Sequence, residues 1–354
     1  MSLKDHGIEY VTLEKRLIAS RRLNPKNRAE LGAMRDDFIR TIPGDITAGS
    51  LFFIFRYVSS VSEGYDVEIC IPVSRDFSSE NITSRVIPEM GVLKLVHTGP
   101  ADELSGSYRT LYSTAYEHGL ISDEFGMEVY PDHGGDEGRI ELLFVIHDWG
   151  ALLKNNTERV LGASIASDIL VGMGNLSVES YVVERYQWVK EMLSRMERFA
   201  DDRQTYDILS SCAHIFPEEP IQGMRDVYKR ARKKGGDALD AVDTVINHMR
   251  TDSAFGEAPY REGMILFASK GPYDKKGYEE AKTVQERRRA SCFCPVIRNN
   301  LDGGMPVSYC NCGAGWYRRQ WEGVFGKPVY IEVIKSVLNG DDYCEFAIHI
   351  PEML

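Results

Sequence analysis

Two strands of this chain each carry a glutamate inside an apolar run. YDVEICIPV, Tyr65 to Val73, holds Glu68, and GRIELLFVI, Gly138 to Ile146, holds Glu141. A strand this apolar is normally buried, and an isolated buried carboxylate costs several kcal/mol unless it is paired or neutralised. A third acid, Glu128, lies in MEVY, Met127 to Tyr130. Tyr57, Tyr108, Tyr112 and Tyr130 are the aromatic candidates to stand beside such an acid, an arrangement that suits a cation. The competing reading puts Glu68 or Glu141 on the solvent face of an edge strand and the tyrosines in ordinary core. Along the second run Glu141, Leu143 and Val145 point one way and Leu142, Phe144 and Ile146 the other. Both faces are mostly apolar, which argues against simple exposure.

The second dense region follows residue 290. Cys292 and Cys294 stand in CFCP, Cys310 and Cys312 in CNCG, and Cys344 in GDDYCEF, so five of the seven cysteines cluster here. Three chemistries fit: a zinc site, a reactive or ligand-lining set of thiols, or inert buried thiols. The familiar zinc spacing has two intervening residues rather than one. A thiol near Arg298 is a candidate activated thiolate. The run Arg287-Arg288-Arg289 reads as a solvated helix end, where cations suit the helix dipole, with an anion site as the sharper alternative.

The elements that must position these residues repeat. A strand (10–19), a helix (25–41) and strands at 51–57 and 65–73 are followed by a strand (92–97), a helix (100–118) and strands at 127–130 and 138–146. Leu31, Met34, Phe38 and Ile42 share one helix face, as do Leu104, Tyr108, Leu111 and Ala115. Two strand–helix–strand–strand units, each with one bare sheet face, would pair around a pseudo-two-fold cleft. Beyond His147-Asp148-Trp149-Gly150 helical periodicity takes over, with helices expected at 156–172, 179–200, 201–215, 224–233, 237–250 and 278–290. Cys292 and Cys294 are expected on a strand, and 329–350 reads as a hairpin around Asn339-Gly340. The fold class is therefore α+β, with domains 1–148 and 149–354, the second helix-rich and ending in a Cys-rich antiparallel sheet.

ITSRVIP, VLKLVHTGPADEL (Val92 to Leu104), YEHGL (Tyr116 to Leu120), MEVY and the Glu141 strand resemble the GyrI-like family, the effector-binding fold of multidrug-sensing regulators. The resemblance covers about residues 5 to 148. It implies a cleft between the repeats that takes amphipathic, often cationic, molecules through aromatics and an acid, for which Glu141 and Glu128 are the matching positions. The last part of the chain resembles the 4-vinyl-reductase-type and aminothiazoline-carboxylate-hydrolase-like domains, through Gly313-Ala314-Gly315-Trp316 before a helix, Gly326-Lys327-Pro328, Glu332 and Gly340-Asp341-Asp342 with Cys344. That resemblance implies zinc held by Cys310 or Cys312, Glu332 and Cys344. Ser336 stands where the family has a further cysteine, so Cys292 or Cys294 would supply the fourth ligand.

At 354 residues and 43% hydrophobic content the chain suits two ordinary domains. No apolar run reaches the roughly 20 residues of a membrane span, and a cytoplasmic location is expected. The net charge of −11 is uneven, because residues 1–148 hold 15 Lys/Arg against 24 Asp/Glu. Such an acidic domain favours cations and disfavours nucleic acid. The expected function is a small-molecule sensor without its own DNA-binding domain, acting through a protein partner or a homo-oligomer. The alternative is a hydrolase with a Glu general base or a C-terminal Cys nucleophile.

Overall fold

A computed structural model describes residues 2–56, 66–100, 103–131, 139–213, 218–251 and 257–352. The chain divides into two compact units, Met1–His147 and Asp148–Leu354.

Among the described residues the N-terminal unit is one antiparallel sheet of eight strands with two α-helices. The strands are β1 (Ile8–Leu13), β2 (Arg16–Leu23), β3 (Leu51–Arg56), β4 (Val67–Pro72), β5 (Thr83–Ile87), β6 (Met90–Thr98), β7 (Ser122–Tyr130) and β8 (Arg139–Ile146). Their order is β1-β6-β8-β7-β3-β4-β2-β5. It reads symmetrically about the central β7·β3 pair, so the expected repeat is present. What sequence alone takes as one strand over 10–19 is two, broken at Glu14-Lys15. β1 crosses to pair with β6 of the other half, while β5, not foreseen, pairs with β2. Each half thereby covers the other's edge, which removes unpaired N–H and C=O groups that an isolated repeat would expose.

Helix α1 (Arg28–Thr41) begins three residues after Pro25, because Asn27 caps it by accepting the Glu30 N–H at 3.0 Å. It buries Leu31 and Phe38, and α2 (Leu104–Glu117) buries Leu104, Leu111, Thr114 and Ala115. Each is a stripe at helical spacing.

The C-terminal unit holds α3 (Trp149–Leu161), α4 (Ala163–Ile169), α5 (Val182–Met196), α6 (Asp202–Ser210), α7 (Glu218–Lys233), α8 (Ala238–Thr251), α9 (Lys275–Glu280), α10 (Val284–Ser291) and α11 (Asn311–Phe325). Its sheet has the order β11-β12-β10-β9, with β9 (Tyr260–Glu262), β10 (Ile265–Lys270), β11 (Tyr330–Lys335) and β12 (Cys344–His349). The hairpin β11·β12 matches the sequence reading, whereas β9 and β10 are new. The glycines of GAGWY lie inside α11 rather than before a helix. A Cβ on Gly315 would stand 1.9 Å from the Ser210 carbonyl, and one on Gly323 would stand 2.2 Å from Ile221. Glycine there lets α11 press against α6 and α7, and Trp321 between them is fully buried.

Two further expectations fail in this unit. Cys292 is the C-cap of α10, its N–H bonded to the Arg288 carbonyl, and no strand carries Cys292 and Cys294. Pro295 follows at once and has no N–H for a ladder. Arg288 is not a solvated helix end: it is buried, its guanidinium on the Val337 carbonyl at 2.8 and 2.9 Å and on Asp302 at 2.8 Å.

Candidate functional site

The central strand pair sets which side chains share a face. Phe53 of β3 lies directly opposite Glu128 of β7, and Glu128 lies opposite Leu142 of β8. Residues in register share a face, so Phe53, Phe55, Glu128, Tyr130, Leu142 and Phe144 stand on one side, the side on which Tyr108 and Tyr112 of α2 approach. Phe53 meets Tyr130 edge-on at 5.3 Å, and Tyr112 meets Phe144 at 5.0 Å. Gly126 leaves room for Tyr112, since a Cβ there would lie 3.2 Å from its hydroxyl.

Glu128, 0% exposed, is the floor of this aromatic box. Four donors fill its two oxygens. Oε1 accepts the Tyr108 hydroxyl at 2.6 Å and an Arg28 N–H at 2.6 Å; Oε2 accepts the Tyr130 hydroxyl at 2.6 Å and a second Arg28 N–H at 3.1 Å. The Arg28 guanidinium also lies 5.8 Å from the Phe55 ring centroid. Burial alone would lower the Arg28 pKa, but its bonds and charge pairing with Glu128 carry it above its ordinary value. Burial, then the Glu128 charge, raise both tyrosines, so Tyr108 and Tyr130 remain hydroxyl donors.

The other predicted acids lie elsewhere. Glu141 pairs with Val129, the neighbour of Glu128, and so faces the opposite side of the sheet. There it bonds Arg139 at 2.7 Å. Glu68, opposite Ile54, shares that second face. It is held by Arg56 at 2.7 Å and by Arg85 at 2.7 and 3.0 Å. Burial would raise its pKa, but Arg85, Ser20 and Arg56 hold it below the usual carboxylate range. Glu128, Tyr108, Tyr112 and Tyr130 are thus brought together, Glu68 and Glu141 stand apart, and Tyr57 lies outside the described residues. Arg28 is the residue that sequence reasoning misses. A cation in the first turn of a helix opposes the dipole, and that misfit is the signal that could have found it.

Residues 15–145 match the family profile described as a GyrI-like small molecule binding domain. This part of the chain is a GyrI-like domain. Among solved structures the chain is similar to EcmrR in its complex with DNA, at 19% identity over 39% of this chain and 56% of that one, TM-score 0.35. The chain therefore spans little more than half the length of that protein. It is also similar to SAV2435 bound to tetraphenylphosphonium, at 12% identity over 41% and 96% of the two chains, TM-score 0.27. A hydrolase from Listeria innocua is similar at 10% identity over 39% and 90%, TM-score 0.29. No curated protein matches the chain.

Outside the GyrI-like domain, Cys292, Cys294, Cys310 and Cys344 lie in or against one hydrophobic cluster. Cys310 Sγ lies 3.1 Å from the Ser336 hydroxyl, and Cys294 Sγ lies 3.7 Å from Tyr309 Oη. All five C-terminal cysteines are free thiols. Among the described residues no group of three or more His, Cys, Asp or Glu side chains is placed to hold a metal ion. Glu332, expected as a zinc ligand, faces His349 at 3.4 Å instead. Paired across the sheet with Cys344 stands Lys270, also unforeseen. Its ammonium lies 5.1 Å from the Phe293 centroid, 5.7 Å from Trp316, 5.8 Å from Tyr317 and 5.9 Å from Phe346. Among the described residues no helix is long and apolar enough to cross a membrane.

Proposed function

We propose that the GyrI-like domain captures an amphipathic cation at Glu128, and that the ligand takes the place Arg28 holds. The carrying observation is the fully buried carboxylate walled by Tyr108, Tyr130 and Phe53 and engaged by a guanidinium. Arg28 makes the contacts such a ligand would make: opposite charge on Glu128 and a cation over the Phe55 ring. Its side chain is 35% exposed and sits at the first residue of α1. On leaving, it regains water. A lipophilic cation, poorly hydrated to begin with, gives up less on entering than a hydrated guanidinium does, so the exchange favours it. A neutral molecule has no means of replacing the charge.

The hydrolase reading draws less support. A general base needs a free acceptor position, and with Arg28 in place the roughly four positions of the Glu128 carboxylate are all taken. Burial pushes the Cys310 and Cys312 thiols up to about 12, the opposite of an activated nucleophile. Coupling of ligand capture to a protein partner completes the sensor reading.

The test is calorimetric titration of the full chain with tetraphenylphosphonium and with triphenylphosphine oxide, a neutral molecule of similar bulk. The cation should bind at least about tenfold tighter, a difference of about 1.4 kcal/mol. Glu128→Gln should remove that preference and Glu141→Gln should keep it. Equal affinities in the unmutated protein end the proposal.

A further inference from the structure

Arg288 is held in the core, but its neighbour Arg289 lines a cavity of about 430 Å³ formed by α9, α10 and the segments beside them. That volume falls in the range of small-molecule sites. Asp274 caps α9, and its N–H bonds the Ala290 carbonyl of α10 at 2.9 Å, which ties the two helices together at the cavity wall. Gly277 leaves room for the Asp274 carboxylate, since a Cβ there would stand 2.3 Å from Oδ2. Arg298, also in the wall, is fixed in place. Its guanidinium lies 3.7 Å from the Tyr273 ring centroid, with Nε on the Cys292 carbonyl at 2.6 Å and Nη2 on the Phe293 carbonyl at 2.9 Å.

Charges of both signs line this cavity, and none is paired across it. Asp274, Glu280 and Glu286 share its wall with Arg289 and Arg298. Among the described residues neither arginine has an ion-pair partner. Arg298 uses two N–H donors on carbonyls and keeps the rest. Each carboxylate is engaged through one oxygen. Asp274 Oδ1 accepts the Gly277 N–H at 2.9 Å, and Glu286 Oε2 accepts those of Lys282 and Thr283 at 2.7 and 2.9 Å. Glu280 Oε1 stands 3.9 Å from Lys276. The second oxygen of each remains an acceptor. Elsewhere in this unit opposite charges meet directly, as Arg261 and Asp243 do at 2.5 Å. Here the open volume separates them.

We propose that this cavity is a second ligand site, for a free aliphatic α-amino acid that bridges the two signs. Its carboxylate pairs with Arg298 and Arg289, its ammonium with the open oxygens of Glu280 and Glu286, and its side chain lies on Ala281 and Ala290. The mixed wall decides the class. A simple anion would meet three carboxylates and a simple cation two guanidiniums, whereas a zwitterion finds a complement for each of its charges. Arg298, already stacked and tethered, loses little freedom when it is engaged. Binding needs no metal and no covalent step. It is also independent of Glu128, so either site can fail without the other.

The experiment follows L-leucine, leucinamide and 4-methylpentanoate by ligand-detected NMR titration of the full chain. Leucinamide keeps the ammonium without the carboxylate, and 4-methylpentanoate keeps the carboxylate without the ammonium. Leucine should bind at least about tenfold tighter than either. Arg289→Met should weaken leucine by about two- to fivefold without weakening leucinamide. Glu280→Gln should weaken leucine to a similar extent without weakening 4-methylpentanoate. Arg289 and Glu280 are both exposed, so both variants keep the fold. Glu128→Gln should leave leucine binding unchanged. The proposal is overturned if leucine binds no better than either analogue, if either Arg289→Met or Glu280→Gln leaves its affinity as it was, or if Glu128→Gln removes the binding.

Discussion

Glu128 and Lys270 are both charges taken out of water beside aromatic rings, and their surroundings differ in one respect. Glu128 has a guanidinium and two hydroxyls on its oxygens; Lys270 has rings and neutral thiols and no described carboxylate. The first charge is satisfied within the chain, and a ligand there must compete. The second has no ion-pair partner among the described residues. The difference is measurable as stability: removing the partner of a paired buried charge is costly, whereas removing an unpaired one is nearly free or favourable.

The largest effect is expected for Arg28→Met, which leaves the Glu128 carboxylate with only two tyrosine donors. Breaking a buried pair costs about 3–5 kcal/mol, and the partial exposure of Arg28 discounts this to about 2–3 kcal/mol. Urea unfolding would measure it, and saturating tetraphenylphosphonium should restore most of the loss. A change below about 0.5 kcal/mol would mean that the pair behaves as a surface one and the comparison collapses. Glu68 gives an intermediate case, with two partly exposed arginines. Glu68→Gln should cost about 1–2 kcal/mol at neutral pH. Because the folded-state pKa of Glu68 lies below its ordinary 4.5, its contribution is complete above that value and lost as pH falls through the lower, folded one. The gap between wild type and Glu68→Gln in urea midpoints should close as the medium is acidified below that point. Tyr130→Phe removes one charge-assisted bond among four and should cost about 1–2 kcal/mol by the same assay.

Lys270→Met should show the smallest change and the opposite sign, a gain of at most about 1 kcal/mol. Burial places the folded Lys270 pKa below 10.5, so the unfolded chain binds more protons between the two values and wild type recovers relative to the variant as pH rises through that window. The thiols around it, Cys344, Cys312, Cys292 and Cys310, titrate in the same region in both proteins, so only the difference between them is informative. A loss of about 2 kcal/mol in the variant at neutral pH would show that Lys270 has a strong partner after all.

The alternation in the Glu141 strand and the stripes on α1 and α2 were legible because period and burial go together within one element. Which of Glu128 and Glu141 meets the tyrosines was not. Each lies in an apolar strand, and the face each presents depends on the pairing of Val129 with Glu141, a register between strands that neither sequence contains. Arg28 pairs with a residue 100 positions away, and no local pattern announces such a contact. Lys270 stayed hidden because ILFASK was not read as a strand, so its last residue had no address in the sheet. The arginine run misled for a related reason: helix-end chemistry is local, while the Val337 carbonyl that buries Arg288 arrives from 49 residues on.

The symmetric strand order has one further consequence, at its centre. A two-fold passing through the facing pair Phe53 and Glu128 of the β7·β3 seam exchanges those two residues. The two halves therefore offer different groups at equivalent places, one an acid and the other a ring. The architecture is doubled but its charge is single, so titration with a monovalent lipophilic cation should reach its end point at one equivalent per chain.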